Sequence, residues 1–277
     1  MSYSPSDYWA ELHRRDDLSA VGQSGLPTEI NRWLYRILAR NLRAFLRRHE
    51  LLRPPPARVF DVGAGTGEWI PFWRSLGVGT IDGCDLVPDA VDRLNDRFGE
   101  TGEFRQATLG NAGSAQLADG GTYPLVAILN VLLHVTADDQ FARALGQAAA
   151  LVEPGGVLLL VEPILADSTF ARPYDAAAAS RARPLETYAA PLRESGLELV
   201  EMAPATVLAN NPIEAGSPAA FRRYQRLWRW VARRTKRNPP SARWIGPLLS
   251  VADRLALMTG AAPTSKIALF RRPAEST

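Results

Sequence analysis

The sequence predicts an α/β fold: a mostly parallel sheet of seven strands with helices on both faces, a helical cap before it, and a helical insert before the last strand. Three observations predict it. Short apolar runs alternate with helical patterns between residues 57 and 161. Those runs are nearly all apolar, as strands buried on both faces require. A stretch that alternates apolar and polar residues, 197–207, and a last apolar run, 267–270, supply a sixth and seventh strand, with residues 208–266 between them.

The elements follow in order. Residues 5–50 read as helices, with Leu34, Ile37, Leu38, Leu42, Phe45 and Leu46 at helical spacing among arginines. The breaker LLRPPP, 51–56, ends this section. Ala57 to Val62 is the first strand and Glu68 to Leu76 a helix. Val78 to Cys84 is the second strand, followed by a helix from Pro88 to Phe98 with proline at its start. Phe104 to Ala107 is a short third strand and Leu125 to Asn130 a fourth. Asp138 to Val152 is a helix, closed by a Pro154-Gly155-Gly156 turn, and Val157 to Val161 is the fifth strand. A helix over Leu185 to Glu194 precedes the sixth strand. Two helical patterns, Pro218 to Lys236 and Ile245 to Met258, fill the insert, and Ala176 to Arg183 reads as loop or helix edge. The division expected is a cap over 1–52 and a main domain over 53–277, with the insert at about 211–262.

Composition narrows the function classes. The chain has 277 residues, 46% hydrophobic and 22% charged, which is ordinary for a globular protein. It lacks the long apolar run of a membrane span and the apolar core of a secretory leader. A single cysteine, Cys84, forms no internal disulfide and no cysteine zinc site, which points to a reducing cytoplasm. The three histidines, His13, His49 and His134, have no metal-pair spacing, so no metal is expected. Net charge is +3, but nine Lys/Arg and no acid fall within 217–246. The rest of the chain is mildly acidic.

The stretch VFDVGAGTG, 59–67, carries the chemistry. Glycines at the carboxyl end of a strand let the backbone turn tightly and approach a ligand. The spacing differs from the dinucleotide fingerprint G-x-G-x-x-G, and no lysine follows as in a phosphate-cradling loop. Asp61 repels a diphosphate and suits a cation. Asp85 closes the next strand, where a carboxylate can accept both hydroxyls of a ribose. A ribose beside a cation describes S-adenosylmethionine.

These residues resemble class I S-adenosylmethionine-dependent methyltransferases, whose fold is a Rossmann-like seven-stranded sheet ending in a hairpin. The likeness runs from about Ala57 to Glu162, through VFDVGAGTG, GCDLVPDAV, YPLVAILNVLLHV and LVEPGGVLLLVEP. It implies that Asp61, Gly63, Ala64 and Gly65 line the methionine and ribose part of the cofactor. It implies that Gly67 packs the following helix, that Asp85 holds the ribose, and that Leu86 lies against adenine. Asn130 and Val131 then pass beside the sulfonium. Many members have an acid after the third strand for the adenine amine. Here the stretch is QATLGN, which leaves Thr108, Asn111 or backbone to do this, with Leu109 also expected at the cofactor. The resemblance also suggests that the cap, with Tyr8, Trp9, Trp33 and Tyr35, covers the cofactor. Of these, Trp9 and Trp33 are expected to reach it.

His134, four residues past Asn130, is the candidate base, since an unperturbed imidazole titrates near neutrality. Packing beside the cofactor is its alternative role. Glu162 is a second candidate base or an optional metal ligand, with a structural ion pair as the alternative. The expected activity is methylation of a small molecule, on a sugar or metabolite hydroxyl, with the acceptor enclosed by cap and insert. An RNA or protein methyltransferase, or a cofactor-binding module without transfer, is the rival. The basic helix 218–237 leaves four roles open: a lid helix, peripheral membrane contact, an acidic substrate, or nucleic acid, the last weighted least. Oligomeric state is not readable from the chain.

Overall fold

The computed structural model describes residues 5–14, 18, 22–23, 25–111, 117, 121–166, 170–171, 174–175 and 180–274. Parts of the expected cap (1–4, 15–17, 19–21, 24) and residues 176–179 of the alanine-rich patch lie outside them.

Seven strands form one sheet: β1 Arg58–Val62, β2 Thr80–Asp85, β3 Phe104–Gln106, β4 Tyr123–Leu129, β5 Val152–Glu162, β6 Glu198–Pro204 and β7 Lys266–Arg271. Their spatial order is β6-β7-β5-β4-β1-β2-β3. β7 runs antiparallel to both β5 and β6, and the remaining pairs are parallel. The helices are α1 Pro5–His13, α2 Thr28–Arg48, α3 Ile70–Ser75, α4 Pro88–Phe98, α5 Asp138–Ala150, α6 Leu185–Glu194, α7 Pro218–Arg237 and α8 Ala242–Leu257.

Strand periodicity explains the two cores. Successive side chains point to opposite faces. Phe60 and Val62, Val126 and Ile128, Leu158 and Leu160 pack on one face with Phe141 and Leu145 of α5 and Leu192 of α6. Val59, Leu125, Ala127, Leu159 and Val161 pack on the other with Leu42, Phe45 and Leu46 of α2 and Trp73 of α3. Because both faces of the central strands are covered, β4 and the later part of β5 read as nearly unbroken apolar runs, while the edge strand β6 is exposed to half-buried and alternates.

The cap and the insert share a third core. Ile30, Leu34 and Ile37 of α2 meet Trp228 and Val231 of α7 and Ile245 and Leu249 of α8. Asp253 of α8 is fully buried there. Its carboxylate accepts the backbone N–H groups of Val207 and Leu208, both at 2.8 Å, and the Asn41 amide at 3.2 Å. One buried acid thus joins α2, α8 and the segment after β6.

Two expectations change. The Pro154-Gly155-Gly156 turn lies inside β5 rather than before it. Val152 already pairs with Tyr123, the register then shifts, and Val157 pairs with Leu125. Gly155, at φ 79°, supplies the left-handed residue that this bulge needs. Two-residue strands at 164–165, 170–171, 174–175, 180–181, 183–184 and 214–215 pair outside the main sheet, and 180–181 falls within the stretch read as loop or helix edge.

Candidate active site

The chain builds outward from β1 to β2 and β3 and then crosses back to place β4 on the other side of β1, and ligands of open parallel sheets bind at such a switch point. A cleft of about 340 Å³ opens there, within the range of small-molecule sites. Its walls are the carboxyl ends of β1, β2, β3 and β4, with Trp9 and His13 of α1 and Tyr35 of α2.

The glycine loop is folded for close approach. Gly63, Gly65 and Gly67 have φ of 73°, 59° and 82°. The N–H groups of Gly63 and Ala64 both donate to the Cys84 carbonyl, at 2.8 and 3.0 Å. A Cβ on Gly63 would stand 2.5 Å from a Val131 methyl, so the loops after β1 and β4 meet only because it is absent. Gly67 does not line the cleft. A Cβ there would strike Phe98 at 2.4 Å, so Gly67 packs the loop on α4.

Asp85 joins the loop to β2. Its carboxylate accepts the N–H groups of Gly65 at 2.8 Å and Val87 at 3.0 Å. It also lines the cleft, and a carboxylate has about four acceptor sites, so two backbone bonds leave capacity for ligand hydroxyls. Asp61 lies behind the loop, fully buried and outside the lining. Burial pushes its carboxyl up to about 7, the Trp73 indole acts the other way, and the Asp85 charge adds to the rise. Glu68, on the cleft wall, is also raised by burial, with Arg32 and Arg97 lowering it. Asp85 and Glu68 on the wall, with Asp61 behind the loop, suit a cationic ligand, whose charge would draw the raised carboxyls toward their ionised forms.

At the opposite wall Asn130 has φ 61°, a left-handed conformation that asparagine tolerates better than most side chains. Its N–H donates to the Val161 carbonyl at 2.8 Å. The next three residues are held from below. Glu162 accepts the N–H groups of Val131 and Leu132, both at 2.8 Å, and of Leu133 at 3.1 Å. Burial pushes this carboxyl up to about 8, while the three amides hold it down. Glu162 is fully buried and does not line the cleft. Its oxygens face backbone amides, so the expected position of a base or metal ligand at the cleft is not what the structure shows. The turn that it holds ends at His134, which does line the cleft, edge-on to Trp9 with ring centroids 4.8 Å apart.

The structure also brings Ala64, Leu86, Thr108, Leu109 and Asn111 to the lining, together with Gly63, Gly65, Asp85, Asn130, Val131 and Trp9. Trp33 is elsewhere. It packs against α8, where a Cβ on Gly246 would be 2.1 Å from its ring. No lining residue comes from 211–262, so the insert braces the cap and does not wall the cleft. Sequence reasoning missed His13, Glu68 and Gln140. His13 was findable, since it stands four residues after Trp9 and therefore on the same helical face. Gln140 had no local signal, because it enters from the first turn of α5.

A family model described as a methyltransferase domain matches residues 30–243. The chain belongs to the class I S-adenosylmethionine-dependent methyltransferase family. A segment of 113 residues is 33% identical to a ribosomal protein L11 methyltransferase of Symbiobacterium thermophilum, covering 40% of this chain and 33% of that protein. Another of 116 residues is 32% identical to a lovastatin diketide synthase of Monascus pilosus, covering 39% of this chain and 4% of that protein. The matches thus span a third or less of these relatives. Among solved structures, the magnesium protoporphyrin IX methyltransferase of Synechocystis, with S-adenosylhomocysteine bound, superposes with a TM-score of 0.50 at 14% identity. It covers 96% of this chain and 93% of that one. An O-methyltransferase of a Brevibacillus brevis polyketide multienzyme superposes at 0.51 and 14% identity, covering 79% and 68%. Both share the fold.

The residues present fit the cofactor of this family. The cleft has bare backbone at 63–65, a carboxylate with spare acceptor sites at Asp85, and acidic walls. The buried Thr66 hydroxyl and Asp61 Oδ2 lack hydrogen-bond partners among the described residues. Among those residues no group of three or more His, Cys, Asp or Glu side chains is placed to hold a metal, and no helix is long and apolar enough to cross a membrane.

Proposed function

We propose that the protein transfers a methyl group from S-adenosylmethionine to a hydroxyl of a small molecule, a sugar or secondary metabolite. The observation that carries this reading is His134, held at the cleft rim against Trp9 by a turn whose backbone is pinned to Glu162. When bound, the cofactor supplies an electrophilic methyl group on a sulfonium.

The rest is done by the chain. Asp85 accepts the ribose hydroxyls, and Gly63, Ala64 and Gly65 pass their backbone along the methionine part. Asn130 and Val131 border the sulfonium, and Leu86, Thr108 and Leu109 enclose the adenine. Trp9 and His13 close the cleft from the cap and keep water from the reacting atoms. His134 takes the acceptor's proton as its oxygen attacks. Glu162 is a positioning residue, which fixes the 131–133 backbone and so the place of His134.

The test is turnover by His134→Ala over a panel of hydroxylated acceptors, with S-adenosylhomocysteine affinity measured alongside. The reading predicts a loss of about 10²- to 10⁴-fold in kcat with affinity unchanged. Near-native turnover contradicts the base role. Tight cofactor uptake by the native chain with no product from any acceptor favours a binding module.

A further inference from the structure

The insert carries an apolar surface that the cleft does not use. On α8 the side chains of Trp244, Leu248, Val251 and Leu255, followed by Met258 at the helix's C-cap, succeed one another at intervals of four and three, and so share one face. They are 45%, 64%, 61%, 61% and 83% exposed. The opposite face, with Ile245, Leu249 and Asp253, is the one packed on the cap. Trp244 lies edge-on to Trp230 of α7, with centroids 6.3 Å apart, so the stripe continues onto the neighbouring helix.

The surroundings are cationic. Around Trp230, at three, four and seven positions on either side, stand Arg223, Arg226, Leu227, Arg233, Arg234 and Arg237, all exposed. Arg243 and Arg254 flank the stripe on α8 and are exposed too. Among the described residues none of these seven arginines has an ion-pair partner. From 217 to 258 the sole acid is Asp253, which is buried.

We propose that this face docks on an anionic lipid surface, with the α8 stripe in the boundary between headgroups and acyl chains and the α7 arginines on the lipid phosphates. Charge decides between occupants. A second copy across the stripe would bring arginines against arginines with no exposed acid to offset them. A nucleic acid would satisfy the arginines but leave Leu248, Val251, Leu255 and Met258 against phosphates. A negatively charged bilayer matches both features, since apolar burial and electrostatic attraction add there. Docking would hold the methyltransferase cleft at a membrane, where poorly soluble acceptors concentrate.

The experiment is co-sedimentation of the full chain with vesicles of phosphatidylcholine alone and of phosphatidylcholine with phosphatidylserine. Binding is expected only to the anionic vesicles and weakens with salt. The exposed triple variant Leu248→Gln, Val251→Gln, Leu255→Gln loses binding about tenfold or more. A variant with Arg223, Arg226, Arg233 and Arg234 changed to Gln also binds weakly, with a flattened salt dependence. Equal sedimentation with both vesicle types, or native binding by the triple variant, overturns the proposal. So does a native dimer in solution that the triple variant dissociates, or an RNA mobility shift that only the arginine variant abolishes. Calorimetry with S-adenosylhomocysteine on the same variants keeps the two readings apart: docking can fail with cofactor uptake intact, and the reverse.

Discussion

At the residue scale, the buried acids give the protein a signature in pH. Asp61 is raised to about 7 and Glu162 to about 8, both chiefly by burial. A carboxyl raised on folding favours its acid form in the folded chain. The stability it contributes is full below the unfolded value near 4 and is lost as pH rises through the folded value. Urea midpoints are therefore expected to fall between about pH 5 and 8, and Asp61→Asn to fall less, with Glu162 supplying the remaining slope. A variant with the native slope would contradict the account of Asp61. Which aromatic meets the ligand is decided at this scale too. Trp33 and Tyr35 are neighbours in sequence, but residues two apart on a helix face different ways. Tyr35 lines the cleft, so Trp33 turns to α8. The spacing held that information, while mere clustering of aromatics did not.

At the element scale, the central strands were legible because burial on both faces makes them nearly continuous apolar runs, and the edge strand β6 was legible from its alternation. The glycine loop was legible because its positive φ values exclude most side chains. The role of Glu162 was not, since its three amide partners come from about thirty residues upstream and only the β4–β5 pairing brings them together. The bulge in β5 was hidden for a related reason: Pro-Gly-Gly is turn chemistry wherever it falls, and only its pairing with β4 shows that the strand continues. The insert's role was misplaced because amphipathic periodicity shows that a helix packs, not against what. Packing between α2 and α8 depends on Gly246, whose missing side chain admits the Trp33 ring. Gly246→Ala is expected to destabilise by about 1–3 kcal/mol through overpacking. Chemical denaturation measures that loss, and S-adenosylhomocysteine affinity should stay near native because neither residue touches the cleft. A large loss of affinity would show that the insert does more than brace.

At the scale of the whole molecule, the chain divides its work between two surfaces. The sheet's carboxyl edge, with α1 and α2 over it, forms the cleft proposed for the cofactor. The insert braces that cap from behind through Asp253 and turns a cationic, apolar face outward. The central claim is that bare backbone at 63–65 and the carboxylate of Asp85 together hold an adenosine-bearing cofactor. Titration calorimetry of S-adenosylhomocysteine into the native chain and into Asp85→Ala tests it most directly. The claim predicts stoichiometric binding by the native chain and a loss of about tenfold or more in the variant, since hydrogen bonds to a charged group contribute about 1.5–3 kcal/mol. No heat from a folded native chain, or equal affinity in both, contradicts it.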